Sequence, residues 1–193
     1  MLKNNQPLKF ATIDNGVYDQ YLGQCDLEVE VLAPILAPAT LYNQVLDRSS
    51  GLVGFIHSDV TCAGLREAIE LTPFKGAMGV VGAGTKWGKM GTHFRSPTCD
   101  SCFILVDADR KERFDDKTFD GFHLYVEDYC VQVGGCTIMD INCYLGMGEL
   151  FKTDERYIIH HTVTLKKLGC AWGDYNDYKM KLFKKWGRII STT

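Results

Sequence analysis

The sequence predicts an α/β protein built as one domain, in which helices flank a sheet. Short apolar runs typical of strands alternate along the chain with segments of helical character, and this alternation is typical of a layered sheet covered by helices. With 193 residues and 46% hydrophobic content, the chain is long enough for one well-packed domain and short for two. The sequence contains no internal repeat, low-complexity segment or interdomain linker.

The amino-terminal part of the chain contains three predicted strands and one helix. Residues 9–14 form an apolar strand that ends in an acid, and residues 27–32 alternate apolar and acidic side chains as a half-buried strand does. Two prolines then break the chain before a predicted helix over 39–48. Residues 52–56 are wholly apolar, which is typical of a strand buried on both faces.

The rest of the chain continues the alternation. Five glycines between positions 79 and 91 predict a loop that moves or approaches a ligand closely. A pair of glycines after position 133 supplies the left-handed cap that ends a helix. The predicted helices cover 64–71, 124–133 and 175–186, and the predicted strands cover 77–81, 102–106, 137–141 and 157–159.

Composition favours a soluble protein of a reducing compartment. No run of about 18 apolar residues is present to span a bilayer, and the amino-terminal residues lack the apolar core of a signal peptide. The eight cysteines are scattered, and several lie inside apolar runs, as buried free thiols do. Cys99 and Cys102 form one C-x-x-C pair, but no second pair stands at zinc-ribbon spacing. We therefore expect a cytoplasmic protein whose cysteines are core residues.

The charge is unevenly distributed. Residues 1–150 hold 12 Lys and Arg against 20 Asp and Glu, whereas residues 151–193 hold 9 against 4. Basic and aromatic side chains interleave in this carboxy-terminal segment, which suits nucleic acid, an anionic membrane surface or the diphosphate of a nucleotide. The alternative is an amphipathic helix whose aromatic side chains pack on the body while its lysines are solvated. The interleaved residues are Lys166, Lys167, Trp172, Tyr175, Tyr178, Lys179, Lys181, Phe183, Lys184, Lys185, Trp186 and Arg188.

The first candidate site is the pair His57 and Asp59, which follows the apolar strand where a buried sheet meets solvent. Ligands bind at this edge in open α/β sheets. Side chains two residues apart on an extended strand point the same way, so both can reach one metal ion or one diphosphate. The alternative is an ordinary strand end.

The second candidate site is the adjacent pair Glu127 and Asp128 in the predicted helix 124–133. Neighbouring side chains on a helix diverge by about 100°, so only one carboxylate faces a given pocket and the other supports it. If Asp128 faces inward, Tyr125 and Gln132 share its face. The start of a helix favours an ionised carboxylate, which suits a general base. A solvated acidic first turn is the alternative.

The third candidate site is the pair His160 and His161, which closes an apolar strand. Imidazole is the commonest transition-metal ligand. Adjacent strand residues face opposite sides, so one of the two can complete a metal site with Asp59. The sequence does not choose between them.

Together and in this order, the motifs resemble those of compact bacterial and phage glycosyltransferase-like proteins of the GT-A fold, which are relatives of the family-2 glycosyltransferases. The likeness covers nearly the whole chain from about Phe10. The residues that carry it are Tyr42-Asn43, Phe55-Ile-His57-Ser-Asp59-Val60, Val80-Val-Gly82-Ala-Gly84, Asp100, Phe119-Asp-Gly-Phe-His123-Leu-Tyr125, Glu127-Asp128, His160-His161 and Lys184-Lys185-Trp186.

The resemblance implies a single GT-A domain over 1–193, Rossmann-like, with a mixed, mostly parallel sheet flanked by helices. It implies that Asp59 holds a divalent cation, Mn²⁺ or Mg²⁺, against the diphosphate of a sugar nucleotide, with His57 in place of the family's first acid. His160 or His161 completes the coordination. The remaining residues implied for the donor are Asp14 and Asn43 near the nucleoside, Asp100 near the sugar hydroxyls, and Gly82, Gly84, Lys185 and Trp186.

The resemblance also implies the reaction. Asp128 corresponds to the catalytic base and Glu127 to its orienting partner, in a transferase that moves a hexose from a nucleotide sugar, such as a UDP-hexose, to an acceptor hydroxyl with inversion. The acceptor is a glycan, as for many relatives, or a hydroxymethylated pyrimidine in phage DNA, which the small size, the missing membrane anchor and the basic, aromatic-rich carboxy-terminal segment suggest. Either acceptor places the protein in the cytoplasm of a bacterium or a phage-infected host cell. A module of the same fold that binds a nucleotide sugar or glycan without turnover is the alternative.

Overall fold

The computed structural model describes residues 7–81, 93–145, 155–161, 174–188 and 190. Within these ranges the protein is a mixed α/β structure with a seven-stranded sheet flanked by helices and a second sheet of three strands. The strands are β1 (Leu8–Ile13), β2 (Val29–Leu32), β3 (Leu52–Ile56), β4 (Val60–Ala63), β5 (Ala77–Gly79), β6 (Phe94–Ser96), β7 (Phe103–Asp107), β8 (Cys136–Ile138), β9 (Asn142–Leu145) and β10 (Tyr157–His160). The helices are α1 (Pro38–Asp47), α2 (Leu65–Leu71), α3 (Tyr125–Gln132) and α4 (Tyr175–Trp186).

The large sheet has the strand order β2-β1-β3-β7-β5-β8-β6. Strand β1 runs parallel to β2 and β3, and β5 runs parallel to β8, whereas β7 and β6 pair with their neighbours in antiparallel fashion. The large sheet is mixed, as predicted. The prediction that it is mostly parallel is wrong, because its described strands form three parallel and three antiparallel pairings.

Strand β3 lies in the middle of the core, as its apolar sequence predicted. Val53 and Phe55 pack on one face of the sheet with α1, α3 and α4. Leu52 and Ile56 pack on the other face, with α2 and the small sheet. Each of these side chains is almost wholly buried, and burial of one such side chain contributes about 1.5–3 kcal/mol. The core therefore anchors the strand whose end carries the first candidate site.

The small sheet was not predicted. Strand β10 pairs with β4 in antiparallel register, which sets His160 opposite Val60, and it pairs with β9 in parallel. Two of its strands, β4 and β9, have only four residues each and lack a long apolar run, so no local signal marked them. This sheet brings two segments about 100 residues apart in sequence to one place.

One edge of the large sheet gathers the ends of several strands. The carboxyl ends of β3 and β5 lie beside the amino end of β7, because the amide of His57 donates to the carbonyl of Cys102 at 3.0 Å and that of Asp100 to Val80 at 2.9 Å. The amide of Met139, which follows β8, donates to the carbonyl of Gly79 at 2.9 Å. Polar residues that follow these strands therefore meet at this edge.

Helix α4 covers the residues that were predicted for it. Its Tyr178 and Leu182 are buried against the body, as the amphipathic alternative requires. Lys179, Lys184 and Arg188 are exposed. Lys166, Lys167 and Trp172 lie outside the described residues. None of the helices described is long and apolar enough to cross a membrane.

Candidate functional site

His57 and Asp59 lie in the turn between β3 and β4, not on the strand itself. The reason given for their convergence, the alternation of a strand, is therefore wrong, because β3 ends at Ile56. The turn nevertheless brings the two side chains together: Nδ1 of His57 is 4.0 Å from Oδ1 of Asp59, and both side chains are largely buried. The pair remains a potential ligand site.

His160 completes a cluster of three ligand atoms with this pair. Its Nε2 is 3.4 Å from Nδ1 of His57 and 3.4 Å from Oδ1 of Asp59. Bonds of about 2.1 Å from a metal ion to nitrogen and oxygen hold two ligand atoms about 3–4 Å apart. The separations of these three atoms therefore fit a shared ion.

His161 lies on the other side of β10. Its Nε2 is 2.9 Å from Oγ1 of Thr61, and its ring stacks on Tyr21 with ring centroids 4.2 Å apart. The structure thus brings the side chain of His160, and not that of His161, to the carboxylate of Asp59, while the backbone amide of His161 donates to the carbonyl of Asp59 at 3.0 Å.

The two histidines of the cluster differ in basicity. Burial, followed by the charge of His160, lowers the pKa of His57 to about 4, so His57 is a neutral imidazole at neutral pH. Burial by itself lowers the pKa of His160, but the hydrogen bond and charge of Asp59 outweigh it and raise this pKa above its usual value. Nε2 of His57 is buried and has no hydrogen-bond partner in the described part of the chain. A neutral imidazole and a carboxylate suit a divalent transition metal.

Asp100 links this cluster to the second candidate site. It lies just before β7, where Oδ1 accepts a hydrogen bond of 2.7 Å from the amide of Cys102. Asp100, Cys102 and His160 form a second group of potential ligand atoms that shares His160 with the first. The pKa of Cys102 lies well above its usual value, because of a hydrogen bond with Cys143 and burial, so this residue is a neutral thiol. Asp100 is therefore the stronger ligand of the added pair.

Glu127 lies close enough to Asp100 for the charge of Asp100 to act on it. It is 9% exposed, and its Oε2 is buried without a hydrogen-bond partner among the described residues. Burial raises the pKa of Glu127 to about 7, and the charge of Asp100 acts in the same direction. A carboxyl group with a pKa near neutrality takes up and releases a proton under physiological conditions.

Asp128 has different neighbours, and both of its carboxylate oxygens accept hydrogen bonds. It is 0% exposed, and its carboxylate accepts hydrogen bonds from Gln132 at 2.7 Å, from Lys185 at 2.9 Å and from the indole of Trp186 at 2.8 Å. The predicted sharing of a face with Gln132 is thus present. This carboxylate ties α3 to α4, whereas the unpartnered carboxyl oxygen belongs to Glu127.

Lys185 and Trp186 are the residues of α4 that donate to Asp128. Lys185 also donates to Asp115 at 2.7 Å, and although burial by itself lowers its pKa, the two carboxylates raise the pKa above its usual value. Both residues were predicted near the donor. The structure instead directs their polar groups to Asp128 and Asp115.

Two further predicted residues have local partners. Asp14 follows β1 at the same edge of the sheet as the carboxyl end of β3, and its Oδ1 accepts a hydrogen bond of 2.8 Å from the amide of Gly16. Asn43 on α1 uses both ends of its amide on the backbone of Phe114, at 2.8 and 2.9 Å. Asn43 therefore holds a loop to α1. Gly82 and Gly84 lie outside the described residues.

Sequence reasoning missed two residues of this site. Cys102 stands two positions after Asp100, a spacing equal to that of His57 and Asp59, and this repeated spacing at a strand end was an available signal. Phe122 lies with its ring 5.5 Å from that of His57. The motif over 119–125 contains Phe122, but it predicted no role for this residue, because the neighbour of its ring comes from a distant strand end.

The arrangement joins a potential metal cluster and a protonatable carboxyl group through Asp100, at one end of the sheet. Neither a protein-family model nor a curated protein matches the chain.

Proposed function

We propose that the protein is a metal-dependent glycosyltransferase that moves a hexose from a nucleotide sugar to an acceptor hydroxyl with inversion. The observation that carries this proposal is that Asp100 belongs with His160 to one group of potential ligand atoms and lies close enough to Glu127 for its charge to act on that carboxyl group. Glycosyl transfer needs two such groups: one that neutralises a leaving diphosphate and one that accepts the proton of the attacking hydroxyl. The resemblance in motif order supports the same reaction.

The donor half of the site consists of the three ligand residues. His57, Asp59 and His160 would hold a divalent cation, which when bound neutralises charge on the diphosphate. Two imidazoles and one carboxylate favour Mn²⁺ or another transition metal over Mg²⁺, which prefers oxygen ligands. Asp100, next to this cluster, is placed to accept hydrogen bonds from the hydroxyls of the donor sugar.

The acceptor half of the site centres on Glu127. The unpartnered oxygen and the raised pKa of Glu127 suit a base, whereas both carboxylate oxygens of Asp128 already accept hydrogen bonds from protein donors. We therefore assign the base to Glu127 and a positioning role to Asp128, which reverses the roles implied by the motif.

The proposed reaction is a single displacement. The acceptor oxygen forms a bond to the anomeric carbon while the bond from that carbon to the diphosphate breaks, and the hydroxyl proton passes to the carboxylate of Glu127. A UDP-α-hexose then gives a β-glycoside and UDP.

Release of UDP from UDP-hexoses tests this function, in a comparison of the wild type with Asp59→Ala in the presence of Mn²⁺. We expect release by the wild type, and a loss of about 100-fold or more in the variant, because a missing ligand removes several kcal/mol of charge stabilisation. Asp116→Asn, which changes a carboxylate outside the cluster, is the control and should release UDP at the rate of the wild type. Equal release by all three proteins would contradict the assignment.

A binding module without turnover is the alternative. It would show a melting temperature raised by UDP-hexose and Mn²⁺, because a ligand that binds only the native state stabilises it, but no release of UDP. If Asp59→Ala then lost this rise in melting temperature, the protein would bind the nucleotide sugar at this site without being an enzyme.

The acceptor is a glycan or a hydroxymethylated pyrimidine in DNA. Lys179, Lys184 and Arg188 are exposed on and just after α4, which offers phosphate contacts, whereas the chain as a whole carries a net charge of −3. A gel-shift titration against salt separates the two acceptors, because an enzyme that acts on DNA binds it with a steep salt dependence.

A further inference from the structure

A second cluster of potential ligands lies within the core. The thiols of Cys99, Cys130 and Cys136 are buried, and their sulfur atoms lie within 4.8 Å of one another. They come from three elements: the turn before β7, the helix α3 and the first residue of β8. The sequence had suggested only Cys99 with Cys102, and the structure separates that pair into two clusters.

The geometry of this cluster matches that of thiolates around one ion. The sulfur atoms of Cys99 and Cys130 are 3.7 Å apart. Zinc–sulfur bonds of about 2.3 Å in a tetrahedral site place two sulfur atoms about 3.8 Å apart. Gly79 leaves the room for this arrangement, because a Cβ atom at that position would lie 2.4 Å from the sulfur of Cys99.

The charge around the cluster also suits an anionic metal site. Arg95 lies close enough to Cys136 for its positive charge to act on the thiol. Its guanidinium is fixed by hydrogen bonds to the backbone carbonyl of Gly134 at 2.7 Å and to Oγ1 of Thr137 at 3.3 Å. Three thiolates around a divalent ion carry a net negative charge, which a fixed guanidinium stabilises.

We propose that Cys99, Cys130 and Cys136 bind a thiophilic metal ion, Zn²⁺ or Cu⁺, as a structural site separate from the cluster of His57, Asp59 and His160. Soft thiolate ligands select these ions. Cys130 lies on α3 three residues after Glu127, so an ion there joins this helix to β8 and to the turn that carries Asp100. The site therefore stabilises the relative positions of Glu127 and Asp100, and it stands whether or not the protein transfers sugars.

Metal analysis and a cadmium titration of the full chain test this site. We expect the protein purified under reducing conditions to contain zinc or copper, or to bind one Cd²⁺ per chain with the ultraviolet absorbance of cadmium–thiolate bonds. That absorbance reports sulfur ligands alone, so the cluster of His57, Asp59 and His160 does not contribute to it. Cys130→Ser and Cys136→Ser should each weaken Cd²⁺ binding by about 100-fold or more.

Cys143→Ser is the matched control, because Cys143 is a buried free thiol outside this cluster. It should bind Cd²⁺ as the wild type does. Wild-type protein that contains no zinc or copper and shows no cadmium–thiolate absorbance would overturn the proposal. So would absorbance that persists unchanged in folded Cys136→Ser, with folding checked by circular dichroism.

Discussion

Glu127 and Asp128 are adjacent carboxylates in the first turn of α3, and both are buried, yet their surroundings differ completely. Asp128 accepts hydrogen bonds from Gln132, Lys185 and Trp186. Glu127 has an oxygen without a partner among the described residues, and its pKa is raised to about 7. Successive side chains on a helix diverge by about 100°, so the same turn directs Asp128 to Lys185 and Trp186 of α4 and leaves Glu127 with other neighbours.

Asp128 therefore has the surroundings of a structural carboxylate, and Glu127 those of a carboxyl group that can exchange a proton. A buried carboxylate whose two oxygens accept hydrogen bonds from several protein donors stabilises the fold, and neither oxygen is free of a protein partner. A buried carboxyl group with an unpartnered oxygen costs free energy, and such costs are concentrated at functional sites. Burial alone is therefore a poor guide to function, and the number of hydrogen-bond partners is a better one.

The largest expected effect is on activity when Glu127 is changed. Glu127→Gln should lower the rate of sugar transfer by about 10²–10⁴-fold, because it removes the base, with no loss of thermal stability. Asp128→Asn should instead leave Lys185 with a weakened partner and lower the free energy of unfolding by about 2 kcal/mol. Initial rates and thermal unfolding of the two variants check this contrast. If Asp128→Asn is instead the inactive and stable variant, Asp128 is the base and Glu127 the positioning residue.

The adjacent histidines should also differ in their effect on activity. His160→Ala should reduce metal-dependent transfer by about 100-fold, because it removes one of three ligands. His161→Ala removes a contact with Thr61 and a stacked ring, and should change the rate by less than about threefold. Rates measured at several Mn²⁺ concentrations separate weaker metal binding from a loss of the chemical step. Equal effects of the two changes would remove His160 from the metal site.

A smaller effect concerns pH. Because burial raises the pKa of Glu127 to about 7, its ionised fraction falls about tenfold for each pH unit well below 7. Activity should therefore rise with pH up to about 7 and then level off, and the residual activity of Glu127→Gln should lack this rise. The sign for stability is opposite: the fold favours the protonated form, so this contribution is present at low pH and is lost as pH rises through about 7. A pH profile with the same rise in both proteins would assign it to another group.

The smallest expected effect is at Asn43. Asn43→Ala removes two hydrogen bonds to the backbone of Phe114 and should lower the free energy of unfolding by about 1–2 kcal/mol. Donor affinity should stay unchanged, because the amide contacts protein backbone and not the proposed donor site. Thermal unfolding and a nucleotide-sugar titration of the same variant measure both quantities. A variant with lower donor affinity and unchanged stability would restore Asn43 to the nucleoside site.

The sequence by itself determined most elements of the large sheet and the helices. Strand β3 and helix α4 have the bounds that their patterns predicted, because an apolar run and a helical periodicity are local properties of the chain. The residue types that supply the candidate chemistry, at positions 57, 59, 127 and 160, were also identified from local patterns.

Only the tertiary structure decided how these residues combine. It decided the direction of β7 and the presence of the small sheet, because strand pairing joins segments that are distant in sequence. It also decided that His160 and not His161 meets Asp59, and that Glu127 rather than Asp128 keeps an unpartnered oxygen. Two faces of a strand or helix become different only when neighbouring elements pack on them, and those neighbours, β4 and α4, are contributed by remote parts of the chain.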